Sequence, residues 1–483
     1  MSKYLFDERE DWTFEKLDAA YKEIEKIAKD ELKLDIYPNQ IEIIDSEKML
    51  DAYSSHAMPV FYRHWSIGKS FVSNQKSYQG GYQNLAYEVV INSNPCISYL
   101  QESNDMTMQS LVLAHAAFGH NAVFKNNCEF KEWTSADSIL DELNFAKVFI
   151  ERCEERFGER EVEEVLDACH ALMDHGVDSH KRHRRTWKQR SAEQDKSFDR
   201  RLDDYDLLWE KTVAKKEADA SVHRFAGQLD QAEENILYFI EKNAPSLPQW
   251  KREIIRIVRK VAQYFHPQML TKVLNEGFAT FTHHYCMHRL YEKGLITEGA
   301  LFGFIQSHTN VVMQPEFDDP RYSGINPYAL GFAIFRDIKR ICESPTAEDL
   351  AWLPNLKGRH WLDAIKEAMA NYNDSGFISQ FMSPKVMRDF KLFALEDKMA
   401  DSDYGVKSIH DAQGYERLRA LLAEKHTRSA RVPNIQVVQA DLAGNRELVL
   451  HYTPYRGRPL DDESVRDVLA HAQTLWGYPV VMK

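Results

Sequence analysis

Two stretches of this chain carry no formal charge, and each must be enclosed. One runs from Met106 to Phe124, nineteen residues; the other runs from Phe278 to His288, directly after Leu274-Asn275-Glu276-Gly277-Phe278-Ala279. In the second, apolar and aromatic side chains point in every direction at 100° per residue, the pattern of a helix surrounded by a large core. In the first, Gln109, Ser110, His115, Gly119, His120 and Asn121 argue against a membrane span despite its length. Both stretches therefore predict buried helices in a mainly α protein. Glu276 is carried into that interior, where an unpaired carboxylate is costly and finds a cation or a metal.

The aromatic supply, 25 Phe, 22 Tyr and 9 Trp in 483 residues, is enough for such a core. The net charge of −13 argues against nucleic acid as a partner, because phosphate binding needs a basic face. Six cysteines without a C-x-x-C pair fit a reducing compartment. The N-terminus turns acidic at once and has no apolar signal region, so a cytoplasmic location is expected.

Helical periodicity covers residues 12–33, 47–58, 134–157, 159–176, 231–242, 249–264, 268–293, 327–342, 360–371 and 383–388. Ile41–Ile44 and Glu88–Asn92 read as short strands, and 74–84 and 308–326 as loops. Near residue 430 the pattern becomes β-β-α-β, with a turn at Gly444-Asn445. The expected organisation is a helical body over 1–425, weakly ordered and basic or polar at about 180–230, and a small α+β domain over 430–483. The basic run 181–190 reads as a solvated connector, with an anionic-ligand patch as the alternative.

Four groups of residues could carry chemistry. His115 and His120 lie five apart, roughly 140° around a regular helix, which is poor for sharing one ion. A π-bulge absorbs one extra residue, and Gly119 would ease it. Two hydrogen-bonded core histidines are the alternative. Glu276 would complete a His₂Glu set with an open position, suited to zinc. His283 lies two turns from Glu276, about 10 Å along the axis, and is a candidate for acid–base work or for supporting the site; His284 and His288 are one turn apart. Asp167, His170 and Asp174 share a face turned away from an apolar stripe and read as solvated.

The segment Leu274–Ala279 is similar to the one that supplies the glutamate ligand in gluzincin aminopeptidases, which implies a zincin-like core. The matching upstream helix departs from H-E-x-x-H: the histidines are five apart and Ala116 replaces the general-base glutamate. Glu88 and Glu142 are the carboxylates that could replace that base.

Longer matches run through the chain: Tyr37-Pro38-Asn39-Gln40-Ile41-Glu42, His64-Trp65-Ser66-Ile67-Gly68-Lys69, Asn92-Ser93-Asn94-Pro95-Cys96, Gly119-His120-Asn121, Phe124-Lys125-Asn126-Asn127, Asn275-Glu276-Gly277, His308-Thr309-Asn310-Val311-Val312 and Tyr322–Tyr328. In these the chain resembles the stage V sporulation protein R (SpoVR-like) family, closest to its enterobacterial-type branch. Phe278 and Thr282-His283-His284 depart from that branch's pattern, leaving His283 in the matching histidine position. The resemblance implies a cytoplasmic bacterial protein of spore-cortex formation or stationary-phase stress, working beside a serine protein kinase and a von Willebrand-type protein. Two functions follow as expectations: a metal-dependent hydrolase, or a non-catalytic regulatory interaction protein on a degenerate metallopeptidase-like fold.

Overall fold

A computed structural model describes residues 4–55, 58–79, 87–180, 228–396, 405–408, 411–442 and 444–483. The protein is mainly helical, and none of its described helices is long and apolar enough to cross a membrane. The basic run 181–190 and most of the 180–230 segment lie outside the described residues.

The chain divides into two compact units, Met1–Val148 with Tyr264–Arg431, and Phe149–Gln263 with Val432–Lys483. In the first unit, the two uncharged stretches form the centre of one hydrophobic core. The histidine helix runs through Met106–Leu113, Ala114–His120 and Asn121–Asn126, and it is buried from Gln109 to Phe124. The glutamate helix, Lys272–Glu292, packs against it and against a third helix, Pro327–Glu343. Beside them lies a sheet of order β1-β3-β2, formed by β1 (Asn39–Ile44), β2 (Glu88–Ile91) and β3 (Cys96–Gln101). β3 pairs parallel to β1 and antiparallel to β2, with Glu88 opposite Leu100.

Gly277 and Gly331 explain how two helices approach so closely. A Cβ on Gly277 would lie 2.4 Å from Gly331 Cα, and one on Gly331 would lie 2.1 Å from the Val273 carbonyl. Backbone meets backbone there. Asp374, fully buried, starts the glutamate helix: its carboxylate accepts the Val273 and Leu274 N–H groups at 3.0 and 2.8 Å, two donors that the helix itself leaves unpaired.

In the second unit, β4 (Gln228–Glu233) joins β5 (Asn434–Ala440), β6 (Leu448–Thr453) and β7 (Val480–Met482) in the order β4-β5-β6-β7. The helix Asp462–Trp476 packs on Glu159–Ala171, with Trp476 fully buried and its indole N–H donating to the Arg446 carbonyl at 2.7 Å. Three local expectations change. Helix Trp65–Gln79 occupies the start of the expected 74–84 loop, helix Glu298–Val311 takes His308 out of the expected 308–326 loop, and β4 takes the first residues of the helix expected over 231–242, which begins at Ile236.

Candidate metal centre

The histidine helix contains the expected distortion. Ala114–His120 is a π-helical segment, and the Asn121 N–H reaches back five residues to the Ala116 carbonyl. That widened turn brings residues five apart onto one side. The His115 and His120 rings end with centroids 4.6 Å apart at 85°. Asn121 anchors the end of the segment: its Oδ1 accepts the Tyr37 N–H at 2.8 Å, and its Nδ2 donates to Tyr37 O and Asn39 Oδ1 at 2.9 and 2.7 Å. Gly119, placed within this widened turn, also has a packing role. A Cβ there would lie 2.6 Å from Ala279 Cα, so glycine is required by the close approach of the glutamate helix.

That approach delivers Glu276. Its Oε2 lies 3.6 Å from His115 Nε2 and 3.5 Å from His120 Nε2. Glu88, at the start of β2, places Oε1 3.8 Å from the same His115 nitrogen. Ligating atoms of Glu88, His115 and His120 all fall within 4.8 Å of one another. These separations exceed hydrogen-bond lengths of about 2.7–3.2 Å. They are close to the ~3.4 Å edges of a tetrahedron of donors about 2.1 Å from a central ion. His115 Nε2 and Glu276 Oε2 are both buried without a hydrogen-bond partner, a state that costs stability unless something else satisfies them.

Charge in the site is divided unequally. Burial pushes the Glu276 carboxyl up, but His115, His120 and the Tyr328 hydroxyl together outweigh it and hold it below the usual carboxylate range. Burial pushes Glu88 up, Glu276 adds to that, and His115 only partly offsets them. Burial also drives His120 down to about 4, leaving a neutral imidazole able to ligate. Asn275 then fixes its orientation: Oδ1, an acceptor only, lies 3.0 Å from His120 Nδ1, so Nδ1 carries the proton and Nε2 presents its lone pair to Glu276.

The remaining sequence candidates separate clearly. His283 stands behind His115, with Nδ1 2.9 Å from His115 Nδ1, and does not face the ligating atoms. His284 and His288 have ring centroids 4.4 Å apart, yet neither joins a convergent group of three donors among the described residues. Glu142 does not join the group either: it sits in the first turn of Ile139–Phe157 and accepts from Ser138 Oγ at 3.0 Å, so its carboxylate is used at a helix start. Asp167, His170 and Asp174 are likewise outside it. Sequence reasoning missed Asn275, Tyr328 and His308. Asn326-Pro327 did signal the helix start that places Tyr328, since Asn326 caps it by accepting the Tyr328 N–H at 3.0 Å.

Other buried imidazoles make the fold acid-sensitive. Burial first, then Arg336, brings His308 to about 4; burial first, then Arg428, brings His266 to about 4; burial brings His284 to about 3. Each lies below the unfolded value, so its contribution is present above about pH 6.5 and is lost as pH falls towards 4. The urea midpoint of metal-free protein is expected to drop between pH 7.5 and 5, as the unfolding free energy loses about 1–2 kcal/mol per buried group. An unchanged midpoint would contradict neutral burial of these rings.

Comparison with known proteins agrees with the sequence motifs. Residues 11–431 match the model for SpoVR like protein, and residues 433–483 match the SpoVR-like C-terminal domain. A relative from Escherichia coli (strain K12), named "Uncharacterized protein YcgB", is 50% identical over 474 residues, covering 98% of this chain and 92% of the relative. No solved structure matches the chain. With family models spanning both parts of the sequence and half of all aligned positions identical to that relative, the chain belongs to the SpoVR-like family.

Proposed function

We propose that this protein is a metal-dependent enzyme of the hydrolase type whose divalent ion, zinc by donor set, is held by His115 Nε2, His120 Nε2 and Glu276. The observation that carries this reading is the pair of buried, unpartnered atoms His115 Nε2 and Glu276 Oε2, 3.6 Å apart and facing each other. Two imidazoles and a carboxylate suit zinc, and they also suit ferrous iron or manganese. When bound, such an ion polarises a water or a substrate carbonyl.

The protein's own groups have distinct tasks in this proposal. Asn275 orients His120, and Tyr328 adds to the effect of His115 and His120 in keeping Glu276 ionised. Glu88 takes the general-base position that Ala116 leaves vacant on the histidine helix, because it is the further carboxylate within 3.8 Å of a ligating nitrogen. This assignment carries forward the gluzincin-like expectation for Glu276 and, of the two candidate bases Glu88 and Glu142, keeps Glu88.

A second reading draws on the fully buried Ala116, which removes the usual catalytic glutamate from its helix. In it the centre is structural, and the protein is a regulator working with a serine kinase and a von Willebrand-type partner in sporulation or stationary-phase stress, as the family resemblance implies. Partner co-purification that survives His115→Ala would favour regulation; hydrolytic activity lost in Glu88→Gln, with metal retained, would favour catalysis. The primary test is elemental analysis of full-length protein after incubation with Zn²⁺, Mn²⁺ or Fe²⁺ and desalting. About one ion per chain is expected, and no stoichiometric ion with any of the three would overturn the metal assignment.

A further inference from the structure

Behind the proposed ligands lies an unbroken line of imidazoles. His115 Nδ1 is 2.9 Å from His283 Nδ1, and His283 Nε2 is 2.9 Å from His308 Nδ1. The three rings come from three different helices and retain 2%, 0% and 8% exposure, so water does not compete along the line. A charged imidazole is costly in rings this deeply enclosed, and each ring can instead be satisfied as the neutral form by its neighbour in the line. A neutral imidazole has one N–H and one acceptor nitrogen. Two ring nitrogens 2.9 Å apart therefore share a single proton, and the choice made at one ring dictates the choice at the next.

Only two registers satisfy the line. In the outward register His115 carries its proton on Nδ1 and donates to His283 Nδ1; His283 then carries Nε2–H and donates to His308 Nδ1; His308 is left with Nε2–H. In the inward register each ring is reversed, and His115 presents Nε2–H to Glu276 and Glu88. A metal ligand needs the Nε2 lone pair and so is compatible only with the outward register.

We propose that His115, His283 and His308 form a tautomer-coupled relay, in which an ion on His115 Nε2 fixes which nitrogen of His308 carries the proton. The proposal rests on the metal assignment above and extends it to His308, which acts as a positioning residue through His283. Passage between registers balances: the proton on His115 Nε2 leaves to solvent, each bridging proton crosses to the neighbouring ring towards the site, and His308 Nε2 takes one from solvent. No ring changes its charge. His308 thereby links the occupancy of the centre to the Glu298–Val311 helix, where its ring lies against His284 and Phe332 at centroid distances of 4.9 and 4.8 Å.

The test is nitrogen-15 NMR of full-length protein labelled at histidine, metal-free and with added Zn²⁺, with His308 assigned from its loss in His308→Asn. His308 is expected to change from the Nδ1–H to the Nε2–H tautomer when Zn²⁺ binds. In parallel, His308→Phe is expected to weaken Zn²⁺ binding by about 10–100-fold, and His308→Asn to recover most of it, because its amide oxygen can accept where Nδ1 did. Zn²⁺ binding with an unchanged His308 tautomer, or equal affinity in His308→Phe and wild type, would overturn the relay and leave the metal site standing. Failure of wild type to bind Zn²⁺ would overturn the relay as proposed and the choice of zinc, whereas the metal assignment itself falls only if Mn²⁺ and Fe²⁺ also fail to bind.

Discussion

Gly331→Ala is expected to cost about 3 kcal/mol or more of folding stability, at the upper end of what overpacking a core produces. The added methyl would meet the Val273 carbonyl at 2.1 Å and Gly277 Cα at 2.7 Å. Both neighbours are backbone, so neither can rotate away, and the Pro327–Glu343 helix must separate from the glutamate helix. Because Tyr328 and Glu276 lie on these two helices, metal retention should fall with stability. Gly303→Ala provides the control within helix Glu298–Val311: its Cβ would find only Thr107 Cγ2, at an ordinary 3.8 Å. That substitution is expected to be neutral or to stabilise by up to about 1 kcal/mol, since alanine is the better helix former. Urea midpoints of the two variants decide the matter, and similar midpoints would show that the glycine contact does not set the helix spacing.

Glu276→Gln separates the site from the fold. Glutamine keeps the volume, so the helices should pack as before, and removing a buried charge is neutral or stabilising in the metal-free protein. The amide lacks the anionic donor, so metal affinity is expected to fall at least 100-fold, about 2.7 kcal/mol. Wild type should gain about 2.7 kcal/mol of stability at an ion concentration 100 times its Kd, whereas the variant should show almost none of that gain. The experiment compares melting temperatures with and without Zn²⁺. An equal Zn²⁺-induced shift in both proteins would remove Glu276 from the ligand set.

Much of this arrangement was legible in the sequence, for identifiable reasons. Absence of charge over Met106–Phe124 and Phe278–His288 marked the two central helices, because charge is what a buried helix cannot carry. The five-residue spacing of His115 and His120 called for a widened turn, and Ala114–His120 provides it. Other features depend on contacts that no local pattern encodes. Gly119 suggested a distorted turn, but its methyl-free Cα is needed by Ala279, 160 positions later in the chain. Glu88 and Glu142 could not be ranked as bases from sequence, since only the pairing of β2 with β3 brings Glu88 to the histidines while Ser138 engages Glu142. His308 reads as a loop residue because Pro, Asp and Gly recur in the residues after it. Its ring nevertheless completes a line of imidazoles that only the crossing of three helices could reveal.

The metal assignment requires one ion between His115, His120 and Glu276. Anomalous X-ray scattering at the zinc edge, from crystals of the protein grown with Zn²⁺, locates such an ion. One strong peak is expected about 2.0–2.2 Å from His115 Nε2, His120 Nε2 and a Glu276 oxygen. A map without a peak there, or with its peak at His284 and His288 instead, would contradict it.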